Sequence, residues 1–298
     1  MSNREASSGA WSAVLAFVIW GLFPLYWTWF TAIPGLQLLA HRMVWCALAA
    51  WGWLLLRRDL GWLAVLTPRK LMLLSISALL ISVNWGIYVV AVTSGHVVDT
   101  SLGYFVTPLA NIVLAVVVLR ERLNGPQIAA VLIAAAGVTW LAFALGAPPW
   151  VSLMLAASFA LYGLMRKLVP FPAVPGLAIE SAVVLPPAVA YLLWCEHVGT
   201  GRFLHGHVLS DVMLVVGGPI TALPLALFAH GAQRVPLTLL GVLQYIAPSV
   251  TLLIGVAWLH EPFGPARQVA FGAIWVALAI FTADGIWRYR RARSRAMG

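Results

Sequence analysis

Ser101-Leu102-Gly103-Tyr104-Phe105-Val106-Thr107-Pro108 and Gly241-Val242-Leu243-Gln244-Tyr245-Ile246-Ala247-Pro248 are two apolar octets 140 residues apart, each ending in an aromatic residue followed three positions later by proline. A glutamate trails each proline by 13 residues, Glu121 in one case and Glu261 in the other. Near the start of the chain an offset of 142 lays Phe17-Val18-Ile19-Trp20-Gly21-Leu22 on Phe159-Ala160-Leu161-Tyr162-Gly163-Leu164. Both offsets are close to half of the 298 residues, so the chain reads as one unit written twice.

Around these octets 62% of the residues are hydrophobic and 9% charged. Soluble domains carry about 25% charged residues, so this chain has too little charge to cover a surface that faces water. Its apolar runs of roughly 20 residues match the helix length that crosses about 30 Å of hydrocarbon. They lack the alternation of outer-membrane barrel strands. Hydropathy places ten spans near residues 11–30, 37–56, 71–92, 98–119, 126–145, 149–165, 175–194, 212–231, 236–258 and 266–286. Ten spans over two copies is five per copy, and an odd number forces the second copy into the membrane upside down. The expected fold is therefore an all-α integral membrane protein of ten transmembrane helices in two inverted five-helix repeats. The repeats are residues 11–145 and 149–286, flanked by an N-terminal segment 1–10 and a basic tail 287–298.

With the N-terminus in the cytoplasm, fifteen of the eighteen lysines and arginines fall on the cytoplasmic side, and only Arg42, Arg202 and Arg267 on the other. The positive-inside rule thus puts both termini in the cytoplasm. The net charge of +9 sits at helix ends and in the tail, as expected for contact with a bilayer surface rather than with nucleic acid. Two cysteines, Cys46 and Cys195, imply neither a disulfide framework nor a metal cluster. No Walker loop, His-Glu-x-x-His or Gly-x-Ser-x-Gly motif is present, so no catalytic residue and no cofactor are assigned.

Taken in order, Trp20-Gly21 with Pro24 and Tyr26, His41-Arg42, Asn84-Trp85, Ser101 to Phe105 with Pro108, Tyr162-Gly163-Leu164 with Arg166-Lys167, Glu180, Gln244-Tyr245 with Pro248, and Glu261 form a specific set. With this set the chain resembles the RarD permeases of the EamA branch of the drug/metabolite transporter superfamily. The resemblance implies a multi-pass protein of the bacterial inner membrane that carries a small molecule through a central cavity, as a secondary transporter or exporter. A lipid-handling or channel-like protein is the alternative, and an intramembrane enzyme a more distant one.

Polar groups inside a span must face protein or a cavity, because lipid offers no partner. Asn84 and Tyr88 share a face of the third span with Trp85 between them, lining a cavity or bonding a neighbouring helix. Tyr104 with Pro108, and Gln244 with Pro248, are the matching faces of the fourth and ninth spans, where each proline frees a carbonyl one turn back. Asn84, Tyr104, Gln244 and Tyr245 are expected to border one midplane cavity. Trp20, Pro24 and Tyr162 add apolar and aromatic surface, and Thr221 follows the bend-prone Gly217-Gly218-Pro219. Four residues are gate or charge-pair candidates. His41 and Arg42 with Asp99 form either an outer gate, with Arg42 answering a substrate carboxylate, or a structural pair. Glu180 is either a proton carrier or a partner of Arg166 or Lys167. Small residues four apart, Ala130 with Ala134 and Ala273 with Ala277, make the fifth and tenth spans close-packing elements and a candidate homodimer face.

The orientation can be checked in a chain whose native cysteines are replaced. Leu63→Cys should resist a membrane-impermeant maleimide added from the periplasmic side and His207→Cys should react; the reverse pattern overturns the assignment.

Overall fold

A computed structural model of the chain describes residues 3–27, 30, 33–58, 60–93, 97–146, 150–258 and 263–297. Twelve helices follow in order: α1 Asn3–Gly21, α2 Phe23–Trp27, α3 Gly35–Arg57, α4 Pro68–Thr93, α5 Val97–Val117, α6 Gly125–Leu145, α7 Trp150–Leu168, α8 Ala173–His197, α9 Val208–Arg234, α10 Leu237–Gln244, α11 Ile246–Ala257 and α12 Pro265–Met297. Among the described residues eight stretches are long and apolar enough to cross a membrane, one of them running from α10 into α11, and α5 contributes a shorter apolar stretch, Gly103–Val117. α1 with α2 supplies the tenth crossing. Large apolar side chains such as Leu132 and Phe143 on α6 point away from the bundle. Such a surface suits lipid and would aggregate in water.

The first and last helices run past the apolar spans. The N-terminal segment and the basic tail were separate elements on hydropathy, but α1 starts at Asn3 and α12 runs to Met297. Hydropathy sees only where a helix is apolar. The alanine- and arginine-rich tail has good helix formers and simply extends the tenth span. At its start Asp284 accepts from Asn124 Nδ2 at 2.8 Å and pairs with Arg288 Nε at 3.2 Å. Asn124 in turn closes a capping box with Gln127 at the head of α6. The small-residue stripes act within the chain: Ala130, Ala134, Ala270 and Ala277 are buried, and a Cβ on Gly137 would sit 2.9 Å from that of Ala273. They close α6 on α12 within the chain.

The packing carries the repeat. If each crossing is exchanged with the one five places away, the principal helix pairs map onto one another. α1 on α9 becomes α7 on α4, α3 on α9 becomes α8 on α4, and α5 on α7 becomes α10 and α11 on α1. The pairs α3 with α8, α5 with α10, and α6 with α12 map onto themselves. The two hexapeptides matched by the 142-residue offset meet across this relation. Trp20 lies 5.7 Å from Phe17 and from Phe159, and Phe228 stacks on Tyr162 at 5.6 Å and 15°.

The two prolines do not act alike. Pro248 cannot donate to the carbonyl of Gln244, and the ninth crossing breaks there into α10 and α11, with Tyr245 N turning back to Val242 O at 3.2 Å. α5 passes through Pro108 unbroken.

At the cation-rich end, Arg120 takes a left-handed φ of 55° after α5 and turns Glu121 toward α10. The Glu121 carboxylate accepts from Leu237 N at 2.7 Å, Thr238 N at 3.0 Å and Thr238 Oγ1 at 2.7 Å. Lys167 Nζ donates to Val235 O at 2.5 Å and Ala232 O at 3.4 Å. An anion thus sits at the start of one helix and a cation at the end of the one before it, the signs that both dipoles favour. Glu121→Ala removes three acceptor contacts and should lower stability by about 1–3 kcal/mol, and Thr238→Val by less. Thermal unfolding of the two purified variants measures this; an unchanged melting temperature for Glu121→Ala would dismiss the cap.

Candidate functional site

Two turns into α3, Arg42 is 8% exposed. Its Nε donates to Thr221 Oγ1 on α9 at 3.1 Å. Its guanidinium carbon lies 4.8 Å from the ring centre of Trp85 on α4 and 5.4 Å from that of Phe23 on α2. Desolvated contacts of this kind contribute up to about 2 kcal/mol. Tyr26 donates its hydroxyl to Met213 O at 2.7 Å, and the phenols of Tyr26, Tyr88 and Tyr104 lie within electrostatic reach of the guanidinium. Tyr104 is 51% exposed. The Tyr88 and Tyr104 rings are 6.1 Å apart.

The Gly217-Gly218 pair explains how α9 brings Thr221 to Arg42. A Cβ on Gly217 would strike the Tyr26 hydroxyl, and one on Gly218 the backbone of Trp45. α9 remains a single helix through Pro219 and Pro224, so these glycines serve close approach to α3 rather than a bend.

Arg42, Trp85, Tyr88, Tyr104 and Thr221 therefore come together. Other expected lining residues do not join them. Asn84 Nδ2 donates to Leu155 O at 2.8 Å and Ser158 Oγ at 3.0 Å, fastening α4 to α7. Gln244 Oε1 accepts from Asn111 Nδ2 at 2.6 Å, fastening α10 to α5. Tyr245 is buried in a separate apolar cluster with Phe105 and Phe271. Pro108 is buried where α5 meets Gly241, whose Cβ would lie 2.9 Å from Pro108 O. Pro248 belongs to the first turn of α11. Trp20 and Tyr162 are packed in the five-ring cluster with Phe17, Phe159 and Phe228. Of Asn84, Tyr104, Gln244 and Tyr245, the residues expected to border one midplane cavity, only Tyr104 is at the arginine. The side chains of Pro24 and Asp99 lie outside the described residues, as does Glu261. Phe23, beside Pro24, is the site residue that composition and spacing did not single out.

His41 faces the other side of α3. Its ring lies 5.2 Å from that of Phe203, on a recess of about 230 Å³ shared with Gln37, Trp45 and Glu196.

Glu180 has a partner. Its Oε1 accepts from Ser77 Oγ at 2.6 Å and pairs with Arg166 Nη1 at 3.2 Å, with both charged side chains buried. Gly176 makes room, since a Cβ there would meet Arg166 Nη1. The pair joins α4, α7 and α8, and of the two readings for Glu180 the charge pair is the one built into the fold. Among the described residues no group of three or more His, Cys, Asp or Glu could hold a metal ion.

A ten-crossing helical bundle with one arginine set among aromatic rings fits a membrane permease, and residues 7–143 match the EamA-like transporter family. The transporter YojE of Bacillus subtilis (strain 168) is 41% identical over 297 residues, covering 98% of this chain and 99% of its own length. The protein RarD of Streptomyces exfoliatus is 42% identical over 296 residues, covering 99% and 94%. A solved crystal structure at 20% identity superposes with a TM-score of 0.71 over 94% of this chain and 97% of that one, a likeness of fold. The chain belongs to the RarD family of drug/metabolite permeases.

Removing one member of a buried pair leaves an uncompensated charge, at a cost of about 3–5 kcal/mol, whereas removing both is far milder. Glu180→Gln should therefore destabilise strongly, and the double variant Glu180→Gln with Arg166→Met should regain much of the loss. Additive melting-temperature changes would show that the two charges do not interact.

Proposed function

We propose that this permease carries a small amphipathic solute across the bacterial inner membrane by alternating access, with both termini in the cytoplasm. The Arg42 site carries the reading: a charged group at that depth is costly, and here it is held by Thr221 and the ring faces of Trp85 and Phe23. Beyond it, toward the cation-rich end, lie the five-ring cluster, the Arg166–Glu180 pair and the Glu121–Lys167 clasp around the turn between α9 and α10. A packing scheme that maps onto itself supports alternating access, in which the halves 11–145 and 149–286 trade conformations. Sparse buried cations argue against a highly phosphorylated solute.

Proteoliposomes of the purified chain should exchange a labelled solute that stabilises the protein, without ATP, saturably and with the solute chemically unchanged. Trp85→Ala and Tyr104→Ala should each reduce exchange about tenfold, equivalent to ~1.4 kcal/mol of lost interaction, at normal levels of folded protein. Non-saturating flux would replace this reading with a channel, and an altered solute with an enzyme.

A further inference from the structure

The recess of about 230 Å³ that His41 borders, beside the loop between α8 and α9, has a graded wall. Gln37 stands in the first turn of α3, and Trp45 lies about 12 Å further along that helix. On α8, which packs against it, Glu196 is next to the last residue and Val189 lies about 10 Å deeper. Leu193 shares the face of Val189 and Glu196 and is 65% exposed, so this wall meets lipid. The recess is thus polar at the helix ends and apolar toward the middle of the membrane. Gln37 Nε2 donates to Thr200 O at 2.8 Å, and Cys195 O accepts from Thr200 N at 2.9 Å and Gly201 N at 3.0 Å. These bonds fold the loop back and set Arg202 and Phe203 at the rim, with the Phe203 ring 5.7 Å from that of Trp45. Glu196 Oε2 is 2.8 Å from His205 Nε2, and a carboxylate has room for further donors. Two buried atoms on residues of this wall have no hydrogen-bond partner among the described residues: Gln37 Oε1 lacks a donor and Trp45 Nε1 an acceptor. Such atoms are costly to leave unpaired.

We infer that this recess binds one phospholipid whose headgroup carries a primary ammonium. The ammonium donates to the Glu196 carboxylate and to Gln37, the phosphate meets the Arg202 guanidinium, and an ester carbonyl deeper in the lipid accepts from Trp45. An acyl chain then runs down the wall of Val189 and Leu193. The headgroup is a zwitterion, and Glu196 and Arg202 are the acidic and basic side chains of the wall, so charge is complementary at both ends of the head. A fully methylated nitrogen brings no N–H to Gln37 or Glu196, and an anionic glycerol headgroup brings like charge to Glu196. The site faces the side of α3 away from Arg42 and depends neither on that arginine nor on the transported solute.

The test titrates the purified, delipidated full chain in detergent with three phospholipids of identical acyl chains, phosphatidylethanolamine, phosphatidylcholine and phosphatidylglycerol, and counts bound molecules by native mass spectrometry. Phosphatidylethanolamine should fill one site at a half-maximal concentration at least about tenfold below that of the other two, the difference one charge-assisted hydrogen bond makes. Glu196→Gln should remove that preference, Arg202→Gln should weaken all three lipids alike, and Val189→Trp, which fills the apolar end, should abolish the site. Glu196 and Arg202 are exposed, so their variants should fold; if Val189→Trp does not, the headgroup series and the two charge variants decide. Equal binding of the three lipids, non-saturating binding of many molecules as expected of a lipid annulus, or an unchanged preference in Glu196→Gln overturns the inference. Solute exchange in proteoliposomes is measured separately, so each of these outcomes leaves the transport reading standing.

Discussion

Hydrocarbon offers no hydrogen-bond partner, and that one constraint accounts for where the polar residues of this protein stand. Several principal helix contacts are pinned by one or a few side-chain hydrogen bonds: Asn84 to Leu155 and Ser158 between α4 and α7, Asn111 to Gln244 between α5 and α10, and Trp51 to Ala178 O between α3 and α8. Arg42 to Thr221 does the same for α3 and α9, and Thr251 to Gly21 O for α11 and the end of α1. Each bond is worth about 1 kcal/mol net, but a misregistered helix would leave its donor unpaired at two or three times that cost. Registration, more than total stability, is what these residues supply.

The same constraint explains which parts of the structure were legible beforehand. Length and hydropathy read the crossings, and the spacing of Phe105, Pro108 and Glu121 against Tyr245, Pro248 and Glu261 read the repeat, because both depend on position along the chain. Helical spacing also shows which residues share a face, as with Asn84 and Tyr88. It does not say whether that face meets a neighbour or a space. Asn84 met α7, while Tyr88 met Tyr104. The partner of Glu121 is 116 residues away, and no local pattern encodes it. Glu180 was more tractable, since Arg166 is only 14 residues off across one tight turn.

Glycine placement joins packing to the site. Gly217 and Gly218 let α9 approach α3 until Thr221 reaches Arg42, and Gly176 leaves the volume that Arg166 fills. In each place the missing side chain makes room for a buried arginine or for the helix that holds one. Composition alone would have suggested flexible segments, but both helices run through these glycines without interruption.

The clasp on the turn between α9 and α10 also bears on how the protein is made. A ribosome releases Glu121 into the membrane system long before it has synthesised Leu237 and Thr238, and α1 likewise waits for α9 and α11, against which it packs. The first five helices therefore cannot reach their final arrangement while the second five are still in the translation channel. Until then Asn111, Arg42 and the backbone around them must be sheltered by water at the interface or by an insertion factor. Nascent chains arrested shortly before the ninth crossing would be a half-built bundle with its polar pins unmet, and so the natural substrate of membrane quality control.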